Sequence, residues 1–246
     1  MLLVDVGNTR IKWGLAHDHV ISGYGALEYK DKQISEVLAS AWADLPFPVR
    51  ILVINVAGAS LAEGINCYCH EQFQREPEYV QTALQACGVT NGYTRPAQLG
   101  VDRWAAVIGA YHIYSGPTCI ISCGTAITVD TVTRDGRHLG GLIAPGISVM
   151  QHALAAVAPA IPKAPGDAFT LYGRDTRTAI TSGVLYAAAG LMERVTTEIQ
   201  AQQGAQTKFL LTGGDAERMQ PIVRGQFTLA PHLVLEGLAV LAGQQT

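Results

Sequence analysis

Residues 2–6, LLVDV, are an apolar run broken once, by Asp5. Gly7 and Asn8 come next, and the stretch after them alternates, with Ile11, Trp13 and Leu15 set against Lys12 and Gly14. This order predicts a hairpin turned at Gly7-Asn8. TCIISCGTAITVDTV repeats the plan from Thr118, with a turn at Gly124-Thr125 and with Ile127, Val129 and Thr131 set against Thr128 and Asp130. The two turn glycines lie 117 residues apart, close to half of the 246-residue chain.

The segments after the two hairpins are also alike. In the first half, the pattern predicts a helix over 31–44, a buried strand over 50–56 (RILVINV) and a helix over 58–75. In the second, GRHLGGLI continues a sheet and a helix starts after Pro145-Gly146. TRTAITSGVLYAAAGLMERVTTEIQAQQ is a long helix, KFLLTGG a strand entering a turn, and PHLVLEGLAVLAGQ the last helix. The expected fold is therefore two α/β lobes in tandem, 1–114 and 115–246, divided near Tyr114-Ser115-Gly116-Pro117. The cleft between such lobes is the default ligand site.

Composition narrows the classes. With 48% apolar and 15% charged residues, the chain reads as compact and globular rather than disordered. A net charge of -3, without a block of Lys or Arg, gives no footprint for nucleic acid or anionic lipid. Five cysteines, an odd number with no C-x-x-C pair, fit free thiols in a reducing cytosol. Cys67, Cys69 and His70 could be metal ligands, but the segment lacks a second cluster of the usual type. There is no basic leader and no apolar stretch of about 18 residues, so a cytoplasmic protein is expected.

The glycine turns suit phosphate. At Gly7 and Gly124 a ligand oxygen can approach the backbone, and turn amides can converge on an anion. Asn8, Thr9, Thr125 and Thr128 can add neutral donors, and Lys12, on the same strand face as Arg10, can reach a terminal phosphate. Asp5 can then hold Mg2+, directly or through water. The plain alternative is that Asp5 caps a turn, Gly7 supplies a positive φ and Lys12 is a solvated strand residue. A third turn, Gly213-Gly214 in KFLLTGGDAERM, leaves a flat surface for a planar ring, with Asp215 as a helix N-cap.

In order and spacing these segments resemble the type III pantothenate kinases, members of the actin, hexokinase and Hsp70 nucleotide-binding superfamily. The first phosphate motif, D-x-G-N-[ST]-x-x-K, is Asp5 to Lys12; the substrate motif G-x-D-R is Gly100-Val101-Asp102-Arg103, preceded by Tyr93 and Pro96. The second phosphate motif, D-x-G-T-A-x-T-x-D, appears as Ser122 to Asp130, and TGGD matches the adenosine side. The resemblance implies two ribonuclease H-like (actin-like ATPase) lobes with a nucleotide cleft between them. It implies ATP-dependent phosphorylation of pantothenate to 4'-phosphopantothenate, the first step of coenzyme A biosynthesis.

In that reading Asp5, Gly7, Asn8, Thr9, Lys12, Gly124, Thr125, Gly213 and Gly214 bind ATP. Asp102 is the catalytic base, and Tyr93, Gly100, Val101, Asp102 and Arg103 bind pantothenate. Read from the residues alone, Asp102 can equally be an acid favoured by a helix N-terminus. The resemblance further implies a homodimer in which a threonine of the partner's long helix completes the pocket. Thr176 matches it, though the usual preceding Asn is Asp175 here. Ile180, Leu185, Leu191 and Val195 on that helix fit either a dimer interface or the core. Where the family carries an aspartate that helps hold K+ or NH4+, this chain has Ser122, the internal counterpart of Asp5. A weakened or absent monovalent-cation site is therefore expected. The same substitution keeps open a regulatory or accessory protein of this fold; a related sugar or acid kinase is the remaining alternative.

Overall fold

The computed structural model describes residues 1–246 except 18, 19, 30, 31, 159, 163–165, 167, 245 and 246. In chain order the first half contains β1 (Leu2–Val6), β2 (Arg10–His17), β3 (Val20–Glu28), α1 (Ile34–Trp42), β4 (Ile51–Asn55), α2 (Ala59–Phe73) and β5 (Glu78–Tyr79). A small hairpin, β6 (Gln85–Ala86) and β7 (Val89–Thr90), a 3-10 turn at Pro96–Gln98 and α3 (Val101–Ile113) complete it. Then come β8 (Thr118–Cys123), β9 (Ala126–Val132), β10 (His138–Pro145), α4 (Ile147–Val157), α5 (Thr176–Gln203), β11 (Lys208–Thr212), α6 (Ala216–Met219), β12 (Thr228–Leu229) and α7 (Leu233–Gln244). The helix expected over 31–44 is α1; residue 31 lies outside the described residues.

Two compact units result. The first is Met1–Ile113 with Asp135–His138 and His232–Thr246; the second is Tyr114–Arg134 with Leu139–Pro231. The chain leaves the first unit between Ile113 and Tyr114, beside the expected boundary, but returns to it briefly at Asp135–His138 and again at His232. A single cut at 114/115 therefore assigns α7 to the wrong unit, because α7 packs against α3 and β1. The α3–α7 contact is backbone to backbone: a Cβ on Gly237 would overlap the carbonyl of Ala105, and one on Gly109 would lie 2.8 Å from the carbonyl oxygen of Leu233.

Each unit holds one mixed five-stranded sheet, ordered β3-β2-β1-β4-β5 in the first and β10-β9-β8-β11-β12 in the second. In the first sheet β1 pairs antiparallel with β2 and parallel with β4; in the second, β8 does the same with β9 and β11. Alternation then divides each sheet into two faces. Leu2, Val4 and Val6 join Ile11, Ile51 and Val53 in a core with Leu38 and Trp42 of α1 and Ile65, Tyr68 and Phe73 of α2. Their neighbours Leu3 and Asp5 share the other face with Lys12, Gly14, Leu52 and Ile54, the side where α3 and α7 lie.

In the second unit Cys119, Ile121, Cys123, Ile127, Val129 and Leu211 pack on α5 through Val184, Leu185, Ala188 and Met192. Leu185 is buried, and Ile180, Leu191 and Val195 pack partly buried on the same cluster, so this stripe of α5 belongs to the core. Asp175 caps the helix by accepting from the Thr178 amide at 3.0 Å. All five cysteines are free thiols. Cys69 is buried in the first core, Cys67 is exposed and donates to Glu71, and His70 pairs with Glu76, so the three groups serve different partners. Among the described residues no helix is long and apolar enough to cross a membrane.

Candidate active site

In the first unit the sheet face opposite the α1–α2 core carries an acid and a base side by side. Asp5 on β1 and Lys12 on β2 are register partners, and Asp5 is buried. Burial pushes the Asp5 carboxyl up to about 7; the Lys12 charge opposes this, and the nearby Asp102 carboxylate adds to it. Lys12 also acts on His232 just before α7, whose pKa is held below its ordinary value first by burial and then by that charge. His232 stacks on Tyr24 of β3 with ring centroids 3.6 Å apart. The first unit thus sets a stacked pair of rings, Tyr24 and His232, within electrostatic reach of Lys12, and no local sequence pattern marks the pair.

Asp102 comes from the first turn of α3, where the helix dipole favours its charge. The Trp104 amide donates to the Gly100 carbonyl at 2.9 Å, which starts the helix. The Asp102 carboxylate folds back over Gly100: a Cβ there would lie 2.6 Å from Asp102 Oδ1. Glycine at 100 is thus clearance for the acid. Val101 opens the helix, and Arg103 comes two residues later, buried, with one guanidinium nitrogen donating to the Tyr93 hydroxyl at 2.9 Å. Tyr93 in turn stacks on His138, with centroids 5.9 Å apart and ring planes 14° apart. Asn91 orders this loop, accepting from the Tyr93 amide at 3.0 Å while its own amide group donates to Ala83 and Pro96 carbonyls. Tyr93, Gly100, Asp102 and Arg103 are therefore gathered at the N-terminus of α3. His138 and Asn91 were missed: one is distant in sequence and the other reads as an ordinary loop polar residue.

The Gly7 turn closes with the Gly7 amide donating to the Arg10 carbonyl at 3.0 Å, and Asn8 and Thr9 are exposed at its tip. Gly7 is not among the positive-φ residues, so the alternative that it serves for a left-handed backbone is corrected; its Cβ would instead crowd the Arg10 carbonyl oxygen at 3.3 Å.

In the second unit the Gly124-Thr125 turn is braced by two other backbones. The Gly146 amide, at the start of α4, donates to the Thr125 carbonyl at 3.0 Å, and the Asp215 amide donates to the Cys123 carbonyl at 2.9 Å. Gly213, at φ +94, lies so close to Cys123 that a side chain would overlap its carbonyl. Above Gly124 itself a Cβ would meet nothing within 4 Å, which leaves the room a ligand oxygen needs. Gly214 is exposed on the turn. Asp215 stands at the N-cap position of α6, but its side chain makes no capping hydrogen bond, so the expected cap is corrected: the contact is made by its main chain. Ser122 is the register partner of Thr128 and Thr212, a neutral set on the strand positions corresponding to Asp5, Lys12 and Ile54. Thr176 is the exposed first residue of α5, beside a concavity of about 580 Å³ lined by Gly173, Arg174, Asp175, Ala179 and Ile180.

A sequence model of the type III pantothenate kinase family matches residues 1–198. The chain belongs to that family. Type III pantothenate kinases from Azoarcus sp. and Nitrosococcus oceani are 40% and 36% identical to it, each over 98% of this chain and over 90% and 93% of their own. Among solved structures, a Baf family protein from Campylobacter jejuni is similar over 100% of this chain and 98% of its own, with a TM-score of 0.62 at 22% identity. The ethanolamine utilization protein EutJ from Carboxydothermus hydrogenoformans is similar over 98% and 89%, with a TM-score of 0.53 at 12% identity. These two likenesses concern the fold alone, and the two α/β units, each with a mixed sheet, agree with the tandem hairpins of the sequence.

Phosphoryl transfer in such a kinase uses a divalent metal, and the residues of the first unit fit one. A buried carboxylate whose ionisation is suppressed by burial and by a second carboxylate is relieved by a cation. Among the described residues no group of three or more His, Cys, Asp or Glu could enclose a metal. One or two carboxylates with phosphate oxygens and water are the usual holders of a small hard ion.

Proposed function

We propose that this chain transfers the γ-phosphoryl group of ATP to the primary alcohol of pantothenate, giving 4'-phosphopantothenate and opening coenzyme A biosynthesis. The observation that carries this reading is the placing of Asp5, Lys12 and the α3 N-terminus with Asp102 on one sheet face, beside the Arg103–Tyr93 pair. Asp102 accepts the hydroxyl proton as the alcohol oxygen bonds to phosphorus, the bond to the β–γ bridging oxygen breaks, and ADP leaves. Arg103, buried and aligned by Tyr93, takes the substrate carboxylate. Asn8, Thr9 and Lys12 take phosphate oxygens, as does Thr125, while Gly7 and Gly124, whose own amides close their turns, leave the phosphates room to approach, and Gly213 and Gly214 face the adenosine. Asp5 would hold Mg2+, which when bound would neutralise charge on the phosphates.

The neutral Ser122–Thr128–Thr212 set supports a kinase that works without a monovalent cation. Exposed apolar residues on the second unit, among them Leu142, Ile143, Val149, Val157, Leu171 and Tyr172, support a homodimer, with Thr176 offered to the partner's substrate site. The protein acts in the cytoplasm on small molecules, without nucleic acid or membrane partners.

The test is product formation by the purified chain with ATP and Mg2+, offered pantothenate, a hexose or a sugar acid. Phosphopantothenate as the only phosphorylated product supports the reading. Nucleotide binding without transfer would favour an accessory protein of the same fold, and transfer to a sugar would favour a related kinase.

A further inference from the structure

We propose that Tyr29 is a positioning residue of the first phosphate turn, fixing the direction in which the Gly7–Asn8 peptide presents its N–H to a nucleotide phosphate. The inference rests on the reading of residues 5–12 as a phosphate site. Tyr29 comes directly after β3, and by alternation it shares a face with Leu27, the register partner of Ile11. Its ring accordingly packs on the α1–α2 core, and its hydroxyl donates to the Gly7 carbonyl oxygen at 2.7 Å. That bond turns the Gly7 carbonyl toward the core side.

Among the described residues no peptide bond is cis, and in a planar trans peptide the N–H points opposite to the C=O. The Asn8 amide is therefore turned toward the other side, the one that carries Asp5 and Lys12. The Gly7 amide is already committed to the Arg10 carbonyl, so it cannot serve an anion. Asn8 is then the first turn amide that can, and a single hydroxyl sets its aim. A glycine peptide without that restraint rotates at little cost. The alternative is that the bond merely satisfies a half-buried phenol.

The experiment compares wild type, Tyr29→Phe and Lys12→Ala. Affinities for ADP and for adenosine are read by calorimetry, the KM values for ATP and pantothenate by steady-state assay, and folding by thermal midpoint. Phenylalanine keeps the ring packing and removes only the donor. We expect Tyr29→Phe to weaken ADP and raise the ATP KM about fivefold, the worth of roughly one hydrogen bond, with adenosine affinity and the pantothenate KM unchanged. If Lys12→Ala weakens ADP but Tyr29→Phe does not, or if Tyr29→Phe weakens ADP and adenosine alike, the role of Tyr29 is overturned while the phosphate site stands. If Lys12→Ala also leaves ADP binding intact, the phosphate-site reading falls with it.

Discussion

The first hairpin ends in Asp5 paired with Lys12, and the second in Ser122 paired with Thr128. The sheets around them have the same strand order, and both turns are closed by a glycine amide donating back across the turn at 3.0 Å. What differs is charge. In the first unit a buried carboxylate is kept partly uncharged by its surroundings, while in the second the corresponding position is neutral outright. The comparison teaches that one backbone plan, used twice, can be made different by one side chain: in the proposed function the first copy takes the metal and the chemistry, and the second offers a neutral, glycine-lined surface.

The strongest way to break that comparison is to neutralise each copy. Asp5→Asn is expected to lower kcat/KM for ATP by about 10²- to 10³-fold, the scale of losing one electrostatic stabiliser of the transferring group. Ser122→Ala should leave turnover near wild type; equal losses in the two variants would refute the asymmetry. Ser122→Asp sharpens it from the other side. Wild type should turn over equally in K+, NH4+ and Na+, whereas the variant should gain a saturable K+ response. A strong K+ requirement in wild type would contradict the neutral-site reading.

Stability gives the next effect. The Asp5 pKa is about 7 in the fold against 3.8 for an ordinary aspartate, so the folded state binds more protons than the unfolded state between those values. The contribution of this group is fully present below the lower pKa and is lost as pH rises through the higher one. The loss is about 4 kcal/mol in the metal-free protein. Unfolding midpoints measured from pH 5 to 8 should fall for wild type, and Asp5→Asn should remove this part of the slope and be the more stable form at pH 8. The smallest contrast lies between two glycines of the second unit. Gly213→Ala meets both a positive φ and the Cys123 carbonyl and should cost about 1–3 kcal/mol or more in denaturant unfolding. Gly124→Ala has open space above it and should fold like wild type while raising the ATP KM.

The duplication was legible in the sequence because each hairpin is a local pattern, an apolar run, a glycine turn and an alternating strand, and the apolar run of each is the buried strand that the pattern requires. Asp5, Lys12, Gly124 and Asp102 could be named from such patterns together with the family resemblance. The rest depends on which distant elements the topology brings together. Tyr29 reaches Gly7 from 22 positions away, and His138 accepts from the Gly92 amide across 46. Neither leaves a periodic trace. The return of α7 to the first unit is hidden for the same reason: its helical pattern shows that it packs, but not on which sheet. Even the apolar stripe of α5 could be read as interface or core until the sheet supplied its partner.

The most direct test is a single turnover of Asp102→Asn with saturating ATP, Mg2+ and pantothenate, with ATP affinity measured alongside. A base in the reacting face predicts a transfer rate about 10²- to 10⁴-fold below wild type with ATP affinity nearly unchanged. Transfer at the wild-type rate would contradict the account.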